Sequence, residues 1–559
     1  MATGPGGGVG GISRELTLLT GLAAALALIL LAQVGAGRER QAPASEQQFG
    51  TVHFETSCSA PVATRFDRAV ALLHSFEFAR ASDGFNDVAR ADPSCGIAYW
   101  GVALAAWGNP FAAGQNLPTQ IRRGQEAIDQ ARRAGARSER EKAYITAAAE
   151  LYRDAEHRDQ HTRVIAYRDA MAALVAHHPE DMEAAIFYAL ALAQSAPPND
   201  LTYAELVKAG AILEPLFAAH PDHPGLAHYL IHSYDAPGLA PRGLEAARCY
   251  ARIAPSAPHA LHMPSHTFTR LGYWRESIDA NIASAAAAKR GGAAAEELHA
   301  ADYEVYAYLQ VGQDAAARRL LDSLPEIAAR FDPDAVGSAA PGAAGVFALA
   351  AIPARWALER HAWGEAARLE LRPSRFPFAD AITHFARGIG AARAGDEQAA
   401  RSAIDALAQI HGRLVSADEG YWAGQVEIQQ QSVGAWLALA EGRKAEALTE
   451  MRAAAEREDG TEKNAITPGP IAPARELLGE MLLEVHEPAQ ALEQFTATLQ
   501  REPDRFRALA GAASAAARAG DRPLAARHYA RLLKTCEGAD SPGRSELADA
   551  RRFTSGAAP

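Results

Sequence analysis

The sequence predicts an all-α fold, and three observations carry the prediction. From about Phe54 to Leu533 the pattern is helix after helix, while Val/Ile-rich alternating runs and hairpin dipeptides are scarce and leave no place for a sheet. A composition of 48% hydrophobic and 22% charged residues over 559 positions supplies a core and excludes wholesale disorder. A helix–turn–helix unit also recurs. Leu478-Gly479, Leu482, Ala491, Phe495 and Pro503 place a small residue at a tight helix crossing and a proline at the end of the unit. A step of about 34 residues reaches Ala525 and Tyr529, and Ala69, Leu72, Ala81, Phe85, Val88 and Pro93 reproduce the spacing near the N-terminus.

At these residues the chain resembles the tetratricopeptide repeat (TPR) family. Further units read at Gly272 to Ser277, Gly312 to Ala317, His361 to Ala366, Gly395 to Ala400 and Gly442 to Ala447. The resemblance implies a TPR-type helix-turn-helix right-handed solenoid of about ten to twelve units with a concave groove. The wording of Pro264 to Trp274 also resembles a family of bacterial exported or membrane-anchored TPR proteins, from which no activity carries over.

Taken in order, the elements begin with an almost unbroken apolar run, Leu16 to Gly37, so residues 1–40 read as a signal peptide or an N-terminal membrane anchor. Both readings place the rest of the chain outside the cytoplasm, periplasmic or tethered at the membrane. Residues 41–60 read as a linker and N-terminal cap, and 61–463 as the main solenoid, with a His-rich groove at about 224–302. Residues 464–473 form a Pro-rich connector, 474–540 a C-terminal TPR pair, and 541–559 a small, polar tail expected to be disordered. Loops interrupt the array at Gly108 to Pro118, Ser195 to Asp200, Arg290 to Gly292 and Gly337 to Gly345. Such insertions in solenoids often gather on a functional face. An exported chain permits oxidised cysteines, and Cys58 and Cys95 fall at the same edge of the first two units, where a disulfide would clamp the fraying end.

Several function classes are excluded. Lys+Arg 55 against Asp+Glu 67 gives a net charge of −12 without a basic block, so nucleic acid is not an expected partner. The four cysteines have no CxxC spacing, and neither a phosphate-binding Walker loop nor a GxSxG elbow occurs.

The histidines are specific. Pro224, His228 and His232 lie 34 residues before Pro258, His262 and His266. Both HxxxH pairs therefore occupy the same positions on first helices of adjacent units, and a spacing of four shares one helix face. His259, His299, Asp235 and Asp302 converge on the same region as additional ligands or as partners that orient the imidazoles, with Glu183 near the position of His228. The expected site is a divalent transition metal, Zn or Cu first, because imidazole suits these ions. It has either four His at its centre or two ions with three His each. Pro264, between His262 and His266, is expected to kink that helix and draw the pair apart.

The alternative without metal is a polar groove holding a peptide or protein partner. His74, Trp100 and Trp107 are candidates to line its N-terminal end, whereas His177-His178 and His220/His223 read as exposed turns beside prolines. The function expected is an exported scaffold that binds a metal, a peptide or both. The competing expectation is a copper- or zinc-type oxidoreductase or hydrolase using the His cluster.

Overall fold

The computed structural model describes residues 47–112, 116–197 and 199–555, together with Met1 and Gly4. Among them the regular structure is helical throughout, and the described residues from Phe49 onward form one compact unit. No described helix is long and apolar enough to cross a membrane; the expected Leu16–Gly37 segment lies outside the described residues.

Helices follow one another in helix–turn–helix pairs, such as Pro258–Arg270 with Trp274–Gly291 and Ala294–Gln310 with Asp314–Ala328. The turns are tight because one residue adopts left-handed backbone, as Gly272 (φ +71°) and Gly312 (φ +69°) do. Small residues sit at the crossings: Ala81, Ser277, Ala317 and Ala491 are fully buried. This is the TPR-type solenoid that the 34-residue period predicts.

Two segments depart from the expected outline. Residues 460–473, between the Lys444–Asp459 and Ala474–Glu484 helices, do not bridge units across the surface. Ile466, Thr467 and Ile471 are buried, and the segment runs as a strap against the Pro258–Arg270, Ala294–Gln310 and Gly342–Leu358 helices, to which it is hydrogen-bonded. The expected disordered tail is also corrected. Ser545–Thr554 is helical, buries Leu547 and Ala550 against Tyr529 and Leu532, and is anchored by Arg544, which binds Asp314.

Cys58 and Cys95 are joined by a disulfide, with Cα atoms 4.9 Å apart and 37 residues of separation. It ties the segment before the first helix to the start of the Gly96–Trp107 helix. Reducing the bond, or a Cys58→Ser/Cys95→Ser variant, is expected to lose about 4 kcal/mol at most on the chain-entropy scale. A denaturant midpoint unchanged by reduction would contradict this.

Candidate metal centre

Three first helices build the site. Pro224–Ser233 starts at a proline, which needs no N–H at that position, and carries His228 and His232 one turn apart. The next helix runs Pro258–His262 and resumes at Pro264–Arg270. Met263 keeps right-handed helical backbone, and His266 N–H donates to its carbonyl, so Pro264 marks a joint and does not separate His262 from His266. Ala294–Gln310 supplies His299.

The structure sorts the six imidazoles into two triads. His228, His232 and His259 form one; His262, His266 and His299 form the other, and within each the ligand nitrogens lie within 4.8 Å of one another. The six imidazoles are therefore grouped three and three, and His228, His232, His262 and His266 do not form one set of four. The triads are neighbours: ring centroids of His232 and His266, and of His259 and His262, are 6.1 Å apart.

Hydrogen bonds assign the tautomers. Asn281 Nδ2 donates to the Ser277 carbonyl, so its Oδ1 accepts from His262 Nδ1 at 2.7 Å. His266 Nδ1 donates to Asp235 Oδ2 at 2.8 Å. A neutral imidazole carries one N–H. Both Nε2 atoms of this pair are therefore lone pairs, and they face each other at 3.1 Å. Such a contact is repulsive unless a proton or another cation sits between the nitrogens. Burial opposes protonation of both rings, with Lys463 adding to it at each and Arg270 at His266; Asp235 favours a proton on His266 but does not outweigh burial.

In the first triad a hydrogen bond fixes the tautomer of His228 alone, so its Nε2 can accept an ordinary hydrogen bond from His259. His228 Nδ1 donates to the His74 carbonyl at 2.6 Å, which turns its Nε2 lone pair toward His259 Nε2 at 3.1 Å. His232 Nε2 and His299 Nδ1 are buried without a hydrogen-bond partner among the described residues. Burial lowers the pKa of His228 and of His299 to about 3 and holds His232 and His259 well below the usual range, so all are in the neutral form that binds metal.

The outer groups divide. Asp235 orients His266 and also binds Arg270 Nε at 2.9 Å and Lys463 Nζ at 2.8 Å. Burial works against its charge, but Lys463 and Arg270, together with His266, hold its carboxyl well below the usual carboxylate range. Asp302 is corrected from candidate ligand to ion-pair partner: fully buried one turn beyond His299, it accepts from Arg355 Nε at 2.9 Å and joins neither triad. Glu183 is also displaced from the cluster. Its two oxygens meet His74 Nε2 and His223 Nε2, each at 2.9 Å, so its contact with the site is indirect, through the His74 backbone that holds His228. His223, expected in an exposed turn, is buried by this contact. Trp100 and Trp107 do not line a groove. Trp100 packs among Phe54, Phe85, Tyr144 and Phe187, and Trp107 against Tyr152 and Arg163, because wide rings between neighbouring helices fill core space.

Sequence reasoning missed the aromatic residues that pack on the imidazoles, Tyr250 and Tyr303 as well as Phe76 and Phe111. Phe76 occupies the turn position taken by Gly272 and Gly312 in later units, in left-handed backbone (φ +58°) that disfavours a bulky side chain. Its ring contacts His228 at 4.3 Å and stacks on His259 at 5.3 Å between centroids. Phe111, in the inserted 108–118 loop, stacks on His232 at 4.0 Å. A phenylalanine at a glycine position was the available signal for Phe76.

The depressed pKa of His299 makes a pH prediction. The unfolded chain binds a proton on this residue below about pH 6.5, whereas the folded chain refuses it until about pH 3. Stability contributed by neutral His299 is thus present at higher pH and lost as pH falls below about 6.5. In metal-free protein, His299→Asn is expected to flatten the slope of unfolding free energy between about pH 6 and pH 4 by about 1.4 kcal/mol per unit. Urea unfolding at several pH values measures it, and parallel slopes for the two proteins would contradict the assignment.

No protein-family model matches the chain, and no curated protein matches it. Among solved structures it is similar to the human IFIT1 dimer with m7Gppp-AAAA, at 12% identity and a TM-score of 0.35, over 78% of this chain and 90% of that one. It is also similar to the Cut9-Hcn1 hetero-tetramer of the APC/C, at 14% identity and a TM-score of 0.32, over 89% and 90% of the two chains. A third is Naa15/Naa10 bound to HypK-THB, at 11% identity and a TM-score of 0.24, over 89% and 97%.

Proposed function

We propose that this chain is a metalloprotein in which a TPR-type solenoid holds two transition-metal ions side by side, one per His triad, as a copper-type oxidoreductase centre. The opposed Nε2 lone pairs of His262 and His266 carry this reading, since a cation between them turns a repulsive contact into two ligand bonds. Six imidazoles without a thiolate or carboxylate suit Cu and Zn, and the general affinity order favours Cu. Three protein ligands per ion leave coordination positions open for an exogenous ligand. A hydrolase would need a base beside the ions, yet Asp235 is tied to three cationic or N–H donors and Asp302 to Arg355. Ions held by these imidazoles would supply redox chemistry toward dioxygen, which needs no protein base beside them. Export, either cleaved or membrane-anchored, belongs to the same proposal and is motivated by the Leu16–Gly37 run.

A peptide or protein partner in the concave groove has less support beside the cluster, where the 460–473 strap already occupies the inner face. Copper-reconstituted protein tests the two-ion reading. Electron paramagnetic resonance should count fewer spins than copper ions, because two Cu(II) ions in adjoining triads couple. A spin count equal to the copper content would reduce the centre to independent single sites.

A further inference from the structure

A pocket opens onto the first triad at His232. Its walls come from residues 110–112, from Gln194, Pro197, Asp200 and Tyr203, from the start of the Gly420–Ala440 helix and from the strap at 462–465. Phe111 stacks on His232 at the floor, and Tyr203, Tyr421 and Trp422 supply further aromatic lining. The rim is acidic. Glu419 and Asp418 make no ion pair or side-chain hydrogen bond with any described residue, and among the described residues the Asp200 carboxylate accepts only from Thr202 and Ala204. Lys463 is the one cationic side chain among the described lining residues, and Asp235 neutralises it at 2.8 Å. His232, at the floor, belongs to the first triad, so the pocket leads directly to that cluster.

We propose that this pocket admits a small organic cation with an aromatic body, such as an arylalkylammonium, to the His228/His232/His259 triad. Aromatic walls attract cations through their ring faces, and the rim carboxylates add an attraction that a neutral molecule of the same shape does not receive. The apolar body has Phe111 and Trp422 to pack with, while the ammonium meets Asp418 and Glu419. The inference deepens the two-ion reading, on which it rests for what lies beneath the ligand, but pocket selectivity is measurable without metal.

The test is calorimetric titration of full-length protein, zinc-loaded and chelator-treated, with 2-phenylethylammonium and with neutral 2-phenylethanol. The ammonium is expected to bind at least about tenfold more tightly in both forms. In Asp418→Asn/Glu419→Gln the two probes should become nearly equal, with bound zinc unchanged. Equal binding by the wild type, no binding of the ammonium, or a variant that keeps the full preference overturns the proposal. A chain that prefers the ammonium but takes up no zinc supports the pocket and removes the metal reading; a chain that holds zinc and shows no preference does the reverse.

Discussion

Arg355→Met is expected to destabilise the protein by about 3–5 kcal/mol, the range for removing one partner of a buried ion pair. Arg355 is fully buried on the Gly342–Leu358 helix. Its Nε donates to Asp302, Nη1 to the Pro470 carbonyl, and Nη2 to Thr467 Oγ1 and the Gly469 carbonyl, all within 2.9 Å. One side chain thus fastens the strap to the helix that carries His299. Without it, the Asp302 carboxylate stays buried with no cation, and its Oδ2 already lacks a partner. Burial raises the Asp302 pKa even with Arg355 present, so charging it alone costs more still. Adding Asp302→Leu should recover much of the loss, because the penalty comes mainly from the orphaned charge. Denaturant unfolding of the two single variants and the double one measures the coupling; additive losses would show that the pair does not act together.

His262→Ala/His266→Ala is expected to remove one of two bound ions and leave the other. The reason is the partition of ligands: His228, His232 and His259 share no nitrogen with the second triad. Asp235→Asn should retain the ion but weaken it by about 10–100-fold, the usual effect of losing the acceptor that orients a ligating imidazole. Metal competition with a chelator of known affinity distinguishes the two variants. Loss of both ions in His262→Ala/His266→Ala, with helicity kept, would mean one shared site.

The 34-residue register was enough to bring the two HxxxH pairs onto adjoining helices and His232 near His266, although His228 meets His259 and not His262. It did not say which histidines join. That depends on ring orientation, set by the His74 carbonyl, Asn281 and Asp235, and on the joint at Pro264, which continues the helix where sequence rules expect a break. The strap was legible only as a proline-rich interruption: its partners Asp235, Arg270 and Tyr303 are far away in the chain, and no local pattern links them. His223 beside Pro224 read as a surface turn, yet Glu183 draws it inside. Trp100 and Trp107 show the opposite error, since helical spacing of aromatics fits a core as well as a groove.

The metal content of the full-length protein, purified without a histidine tag and reconstituted separately with copper and zinc, tests the central claim most directly. Elemental analysis is expected to find two tightly held ions per chain, falling to one in a variant of either triad. A correctly folded wild type that takes up neither metal would contradict it and leave the six buried imidazoles as a hydrogen-bonded part of the solenoid.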